Sequence, residues 1–143
     1  MPKVNVTGEA PAPPDKVWEL LTDLPRWPEW FSTHDAFLGD LPATLTEGAK
    51  FRQRVKAMGM PAETAWTVTT ARAPELLELA GDGPMGVKVR SADRVEPSGS
   101  GSRITMDTEF EGGMLAGPMG AMVAKQAGES GEKSLAKFAA LLA

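Results

Sequence analysis

Residues 13–31 read PPDKVWELLTDLPRWPEWF and carry three of the chain's four tryptophans, Trp18, Trp27 and Trp30. Pro13 and Pro14 suit the first turn of a helix, where a missing N–H is no loss. Val17, Leu20, Leu21 and Leu24 then recur at helical spacing, and Pro25 ends the run. Arg26–Phe31 makes a second short turn around Pro28. Neither piece is stable alone, because isolated helices below about 12–15 residues are marginal in water. This much aromatic surface on two short pieces is therefore expected to cap something larger. Trp18 should sit in the core, and Trp27 and Trp30 should close one end of the fold.

Outward from this stretch the periodicity changes. Upstream, KVNVTGE (3–9) alternates Val4 and Val6 with polar neighbours and reads as a strand. Downstream, from about residue 35, the pattern becomes strand-like. KFRQRVKA (50–57) sets Phe51, Gln53, Val55 and Ala57 against Arg52, Arg54 and Lys56. ETAWTVTTAR (63–72) aligns Thr64, Trp66, Val68 and Thr70 on one face. LLELAGDG (76–83) and GVKVRSADRVE (86–96) follow, the latter alternating Val87 and Val89 with Lys88 and Arg90. RITMDTEFE (103–111) opposes Ile104, Met106, Thr108 and Phe110 to Thr105, Asp107 and Glu109. Turn chemistry at GMP, GDGP and PSGSG separates these runs by hairpin-length gaps, as an antiparallel sheet requires.

Residues 118–142 return to helical period. Val123, Ala124, Ala127, Ser134, Leu135, Phe138, Leu141 and Leu142 share one face, opposite Lys125, Glu129, Glu132 and Lys133. The order is one strand, two short helices, six strands and one long helix. A long amphipathic helix following a curved antiparallel sheet buries its stripe in the concave face. The expected fold is α+β: a helix-grip with a curved seven-stranded antiparallel sheet around a long C-terminal helix, in a single domain spanning 1–143.

The composition narrows function. A net charge of −4 gives no electrostatic footprint for DNA or RNA backbones. Cysteine is absent, which removes disulfide and thiolate chemistry. No apolar window is long enough for a membrane span, and MPKVNV lacks a leader pattern, so a cytoplasmic location is expected.

The element order, together with PPDKVWELLTDLPRWPEWF, resembles the SRPBCC superfamily, also called START-like or polyketide-cyclase-like, over essentially the whole chain. KAMGMP (56–61), AWTV (65–68), GDGPMGVKV (81–89) and GPMGAMVAK (117–125) are similar to an actinobacterial subgroup. Mycobacterial members of that subgroup are described as toxins of type II toxin–antitoxin pairs. The resemblance implies a grip around a hydrophobic cavity. For the toxin-like relatives it implies an antitoxin or ribosomal partner.

The long helix carries small residues first (Gly120, Ala124, Ala127, Gly131) and bulky ones later (Leu135, Phe138, Leu142). Such a face either seats closely on the sheet, with Trp66 or Met106 filling the space, or leaves a cavity plugged at the Phe138 end. The cavity is the expectation, for a small hydrophobic molecule. Its walls are expected to include Trp27, Trp30, Phe51, Val55, Trp66 and Val89, with Met106, Thr108, Phe110, Met119, Val123 and Ala127. Thr64, Thr108, Ser91 and Gln53 are the inward polar groups available to orient a ligand. Met58, Met60, Met85, Met114, Met119 and Met122 suit an adaptable apolar rim, serving as a portal or as a homodimer contact.

Catalysis has less support. His34 is the only histidine, so no two-histidine metal site forms and no metal or cofactor is expected. With Asp35 as orienting neighbour it is the one acid–base pair in view; its bland reading is a solvated or hydrogen-bonded loop residue. Cyclase pockets in the superfamily are associated with tyrosine and arginine, and this chain has no tyrosine. A non-enzymatic or weakly catalytic binder is therefore preferred to a cyclase/dehydratase.

Overall fold

The edge strand β1 (Lys3–Ala10) leads through a proline-rich link into α1 (Pro14–Leu21). In this computed structural model, which describes residues 2–57 and 59–143, α1 has Pro14 in its first turn beside Asp15 and buries Val17, Leu20 and Leu21. Thr22 ends it by donating its hydroxyl to the Trp18 carbonyl. The second short helix is a 3₁₀ turn, Leu24–Glu29, whose two prolines exclude a regular α-helical ladder. Trp18 packs half-buried against the core.

Six strands follow: β2 (His34–Leu38), β3 (Lys50–Ala57), β4 (Met60–Arg72), β5 (Leu76–Asp82), β6 (Lys88–Ser98) and β7 (Gly101–Glu111). The helix α2 (Pro118–Leu141) closes the fold. The sheet is seven-stranded and antiparallel throughout, in the order β1-β7-β6-β5-β4-β3-β2. Each of β2 to β7 pairs with its chain neighbour, and β1 returns to pair with β7. Gly99, with φ +60°, makes the tight β6–β7 reversal that a side chain would strain.

The alternation holds with one correction. A bulge in β4 shifts the register between Val68, opposite Leu79, and Thr70, opposite Glu78. Ala71 then faces Leu77, so Ala71 and not Thr70 continues the inner face. A period-2 reading misses this because one extra residue reverses every later side chain.

The core concentrates at one end. Trp27, Phe31, Phe37 and Phe51 cluster with ring centroids 5.4–5.9 Å from Trp27. Trp30 sets its ring edge-to-face on Phe138, 5.0 Å away. The opening stretch thus caps the C-terminal half of α2.

Candidate functional site

The N-terminal half of α2 does not fill the concave face of the sheet, and a cavity of about 270 Å³ remains between them. The cap and strands β3 and β4 contribute Trp27, Trp30, Val55 and Trp66 to its wall. Val89, Met106, Thr108 and Phe110 come from β6 and β7, and Val123 and Ala127 from α2. Two expected residues are elsewhere. Phe51 is buried in the aromatic cluster, 5.6 Å from Trp27, behind the cavity wall. Met119, in the first turn of α2, is 43% exposed and points away.

The glycines of α2 serve the other arrangement weighed for this helix. A methyl group on Gly131 would sit 2.9 Å from Val6 Cγ2, and one on Gly128 3.7 Å from Val4 Cγ1. The bare Gly131 lets the helix approach β1 closely, whereas a methyl group at Gly128 would make only an ordinary contact. The cavity opens beside this approach, against Val123, Gln126, Ala127 and Ser130. Across the sheet Gly81 plays a similar part. A Cβ there would meet the Trp66 ring at 2.8 Å, so the indole lies directly over the β5 backbone.

A polar chain leads from the cavity toward the cap. Trp66 Nε1 can only donate, and it donates to Gln53 Oε1 at 3.1 Å. That orients the Gln53 amide nitrogen, which donates to His34 Nδ1 at 2.9 Å. Nδ1 therefore accepts, and the neutral ring keeps its hydrogen on Nε2. Burial lowers the His34 pKa below its ordinary value, with Asp35 opposing. The proposed His34–Asp35 dyad is not formed. Asp35 donates no orientation to the ring, because its carboxylate accepts from Arg54 Nε at 2.6 Å, which holds its pKa below the usual range. His34 also begins β2 and is not in a loop. It lies beside Phe37, 4.5 Å between centroids, outside the cavity wall.

Asp93 lines the cavity as well, beside the expected inward groups Thr64, Thr108, Ser91 and Gln53. It stands on the inner face of β6, in phase with Val89 and Ser91, opposite Leu77 and Met106. Among the described residues it is the one titratable group lining the cavity, and no side chain there donates to it. It is half-buried, and its remaining surface faces the cavity, where desolvation dominates. Burial, with a smaller contribution from Asp107, raises its pKa to about 7. The alternation of GVKVRSADRVE places Asp93 inside by parity alone. Its charge argued for the outer face, and that competing signal hid it. Gln126 and Ser130 were missed too, since the stripe traced through Val123, Ala124, Ala127 and Ser134 passed beside them.

Ser32 and Ser134 tie the cap to α2. The Ser32 backbone N–H donates to Ser134 Oγ at 3.0 Å, and the Ser32 hydroxyl donates to the Ser130 carbonyl at 2.9 Å. The methionine rim is partly visible: Met60, Met85 and Met122 are exposed, as are Met114 and Met119, while Met58 lies outside the described residues. Among the described residues no cluster of three potential metal ligands occurs. Among the described residues no helix is long and apolar enough to cross a membrane.

Residues 1–143 match the family described as "Polyketide cyclase / dehydrase and lipid transport". The chain belongs to this family. It is 34% identical over 143 residues to "Toxin Rv0910" of Mycobacterium tuberculosis H37Rv, covering 100% of this chain and 99% of that protein. A second relative from the same strain, "Uncharacterized protein Rv1546", is 31% identical over 141 residues, covering 99% of each chain. A solved START superfamily protein of Mycobacterium smegmatis shares the fold with a TM-score of 0.78 at 18% identity, covering 99% of this chain and 97% of that one. The SRPBCC assignment, with toxin-named mycobacterial relatives, and the START-like grip both stand.

Proposed function

We propose that this family member binds a small, largely apolar molecule in the cavity between the sheet and the N-terminal half of α2, without obligatory chemistry. The observation that carries this reading is a cavity of about 270 Å³, lined mainly by aliphatic and aromatic side chains with a few polar groups among them. Specific small-molecule sites have this composition, and this cavity lies at the small end of their size range, close to the roughly 300 Å³ at which they begin. Binding without turnover is favoured because His34 and Asp35 are engaged with Gln53 and Arg54.

The test is uptake of the neutral fluorophore N-phenyl-1-naphthylamine by the wild type and by Ala127→Trp, which places an indole in the cavity. Saturable uptake by the wild type, reduced at least about 10-fold in a variant with unchanged circular dichroism, is expected. Equal uptake by both proteins, or none by either, would sink the reading.

Full-length similarity to a protein named as a toxin supports a second reading. Here the chain is the toxin of a pair and meets an antitoxin, or the ribosome, through its surface. Induction in a mycobacterial host should then arrest growth, and co-expression of a small neighbouring gene should relieve the arrest. Ordinary growth on induction would remove this reading.

A further inference from the structure

Among the described residues the cavity is lined by one ionisable side chain, while its other polar groups, Gln126 and the serine and threonine hydroxyls, are neutral. Asp93 contributes a carboxyl to which no described side chain donates, inside a largely apolar wall. Ser91 lies two residues along the same strand and face, and Thr108 is paired directly with Ser91 across β6 and β7. Three oxygen-bearing side chains thus occupy adjoining positions on the floor of the sheet. The nearby amide of Gln53 is spoken for at both ends, by Trp66 and by His34. No lysine, arginine or histidine lines the cavity among the described residues.

We propose that the cavity selects an apolar amine, its ammonium paired with the Asp93 carboxylate and its remaining N–H groups directed to the Ser91 and Thr108 hydroxyls. This inference rests on the ligand-binding reading above and names the ligand class. An isolated carboxylate in an apolar site is costly unless a cation or hydrogen-bond donors meet it, and a charge-assisted bond is about twice as strong as a neutral one. An anionic amphiphile, such as a fatty acid, would bring a second negative charge beside Asp93 and find no cation. The raised pKa of Asp93 agrees with this picture, because a carboxyl poised near neutrality ionises readily once a cation arrives.

The facing groups leave the titration to Asp93. β1 contributes Val4 and Val6 to the cavity, β5 Leu79, β7 Met106, Thr108 and Phe110, and the facing turns of α2 contribute Gln126 and Ser130. None of these titrates. Asp107, on the outer face of β7, adds only repulsion.

The experiment compares three matched probes, 1-naphthylmethylamine, 1-naphthylmethanol and 1-naphthoate, by isothermal titration calorimetry on the whole protein. At pH 8 the amine is expected to bind about 10-fold or more tighter than the alcohol, with the carboxylate weakest. Amine affinity should rise between pH 5.5 and pH 8 as Asp93 deprotonates while the amine stays charged, and alcohol affinity should not follow that profile. In Asp93→Asn the amine-to-alcohol ratio should fall to about one. The pH profile of the wild type carries the test even if that variant folds poorly. An alcohol that binds as tightly as the amine, a preference for the carboxylate, or a ratio unchanged in Asp93→Asn overturns this inference and leaves the ligand-binding reading intact. Failure of all three probes to bind overturns both.

Discussion

The two halves of α2 lie on the same sheet and share one continuous inner stripe, yet they do opposite things. In the C-terminal half, Ser134, Leu135 and Phe138 are buried, and Phe138 meets Trp30 at 5.0 Å. In the N-terminal half, Val123, Gln126, Ala127 and Ser130 stay half-buried and face open space. Helical periodicity is identical in both. What differs is side-chain volume and what the sheet places opposite. The aromatic cap fills one end, while the other end has Gly81 beneath Trp66 and a carboxyl on the floor. A single helix can therefore supply both the plug that holds the fold and the wall of a cavity.

Truncation separates the halves most sharply. Phe138→Ala leaves a hole beneath Trp30 and should cost about 3–5 kcal/mol in denaturant unfolding. Val123→Ala only enlarges space already present, and should cost about 1 kcal/mol or less. Comparable losses for the two would mean the halves pack alike.

The cavity half also carries a pH signature. The folded-state pKa of Asp93 is raised from 3.8 to about 7, so the folded protein holds a proton that the unfolded chain has released. Its contribution is fully present below about pH 4 and is lost as pH rises to about 7. Asp93→Asn should remove that slope and raise stability at pH 8 by up to about 4 kcal/mol, with little change at pH 4. His34 acts in the reverse sense. Its lowered pKa favours the folded state above about pH 6.5 and disfavours it as pH falls below. Chemical denaturation across pH 4–8 in Asp93→Asn isolates the carboxyl, and a slope that survives the substitution would assign it elsewhere.

The smallest expected difference lies within the cap. Trp27 Nε1 donates to the Leu21 carbonyl at 2.9 Å, whereas the buried Trp30 Nε1 has no partner among the described residues. Phenylalanine at 27 gives up a hydrogen bond and orphans a buried carbonyl; at 30 it removes an unsatisfied donor. Trp27→Phe should be the more destabilising by about 1 kcal/mol. The reverse order in paired melts would show that ring volume, and not polar satisfaction, governs the cap.

Legibility from sequence followed the range of each interaction. Strand parity placed Val89, Met106, Thr108 and Phe110 on the inner face without any knowledge of neighbours. The same parity placed Asp93 there, although its charge masked the fact. Thr70 was misplaced because a bulge is a matter of pairing with β5, which no local pattern announces. Phe51 was correctly turned inward and still misses the cavity, since Trp27 and Phe37 arrive over it from distant chain. Asp35 sits beside His34 in sequence but pairs with Arg54 across the strands, leaving Gln53 to meet the imidazole.

The amino-acid sequence by itself determined the element order, the antiparallel sheet and the inner stripe of α2. Turn residues and the periods 2 and 3.6 are local properties of the chain. Only the tertiary structure decided whether glycines on that stripe meant contact or space, and they meant contact with β1 beside an open cavity. It also decided that the inward acid would stand without a side-chain donor among the described residues. Free volume and desolvation are sums over side chains brought together from every strand, and they come into existence only when the sheet closes on its helix.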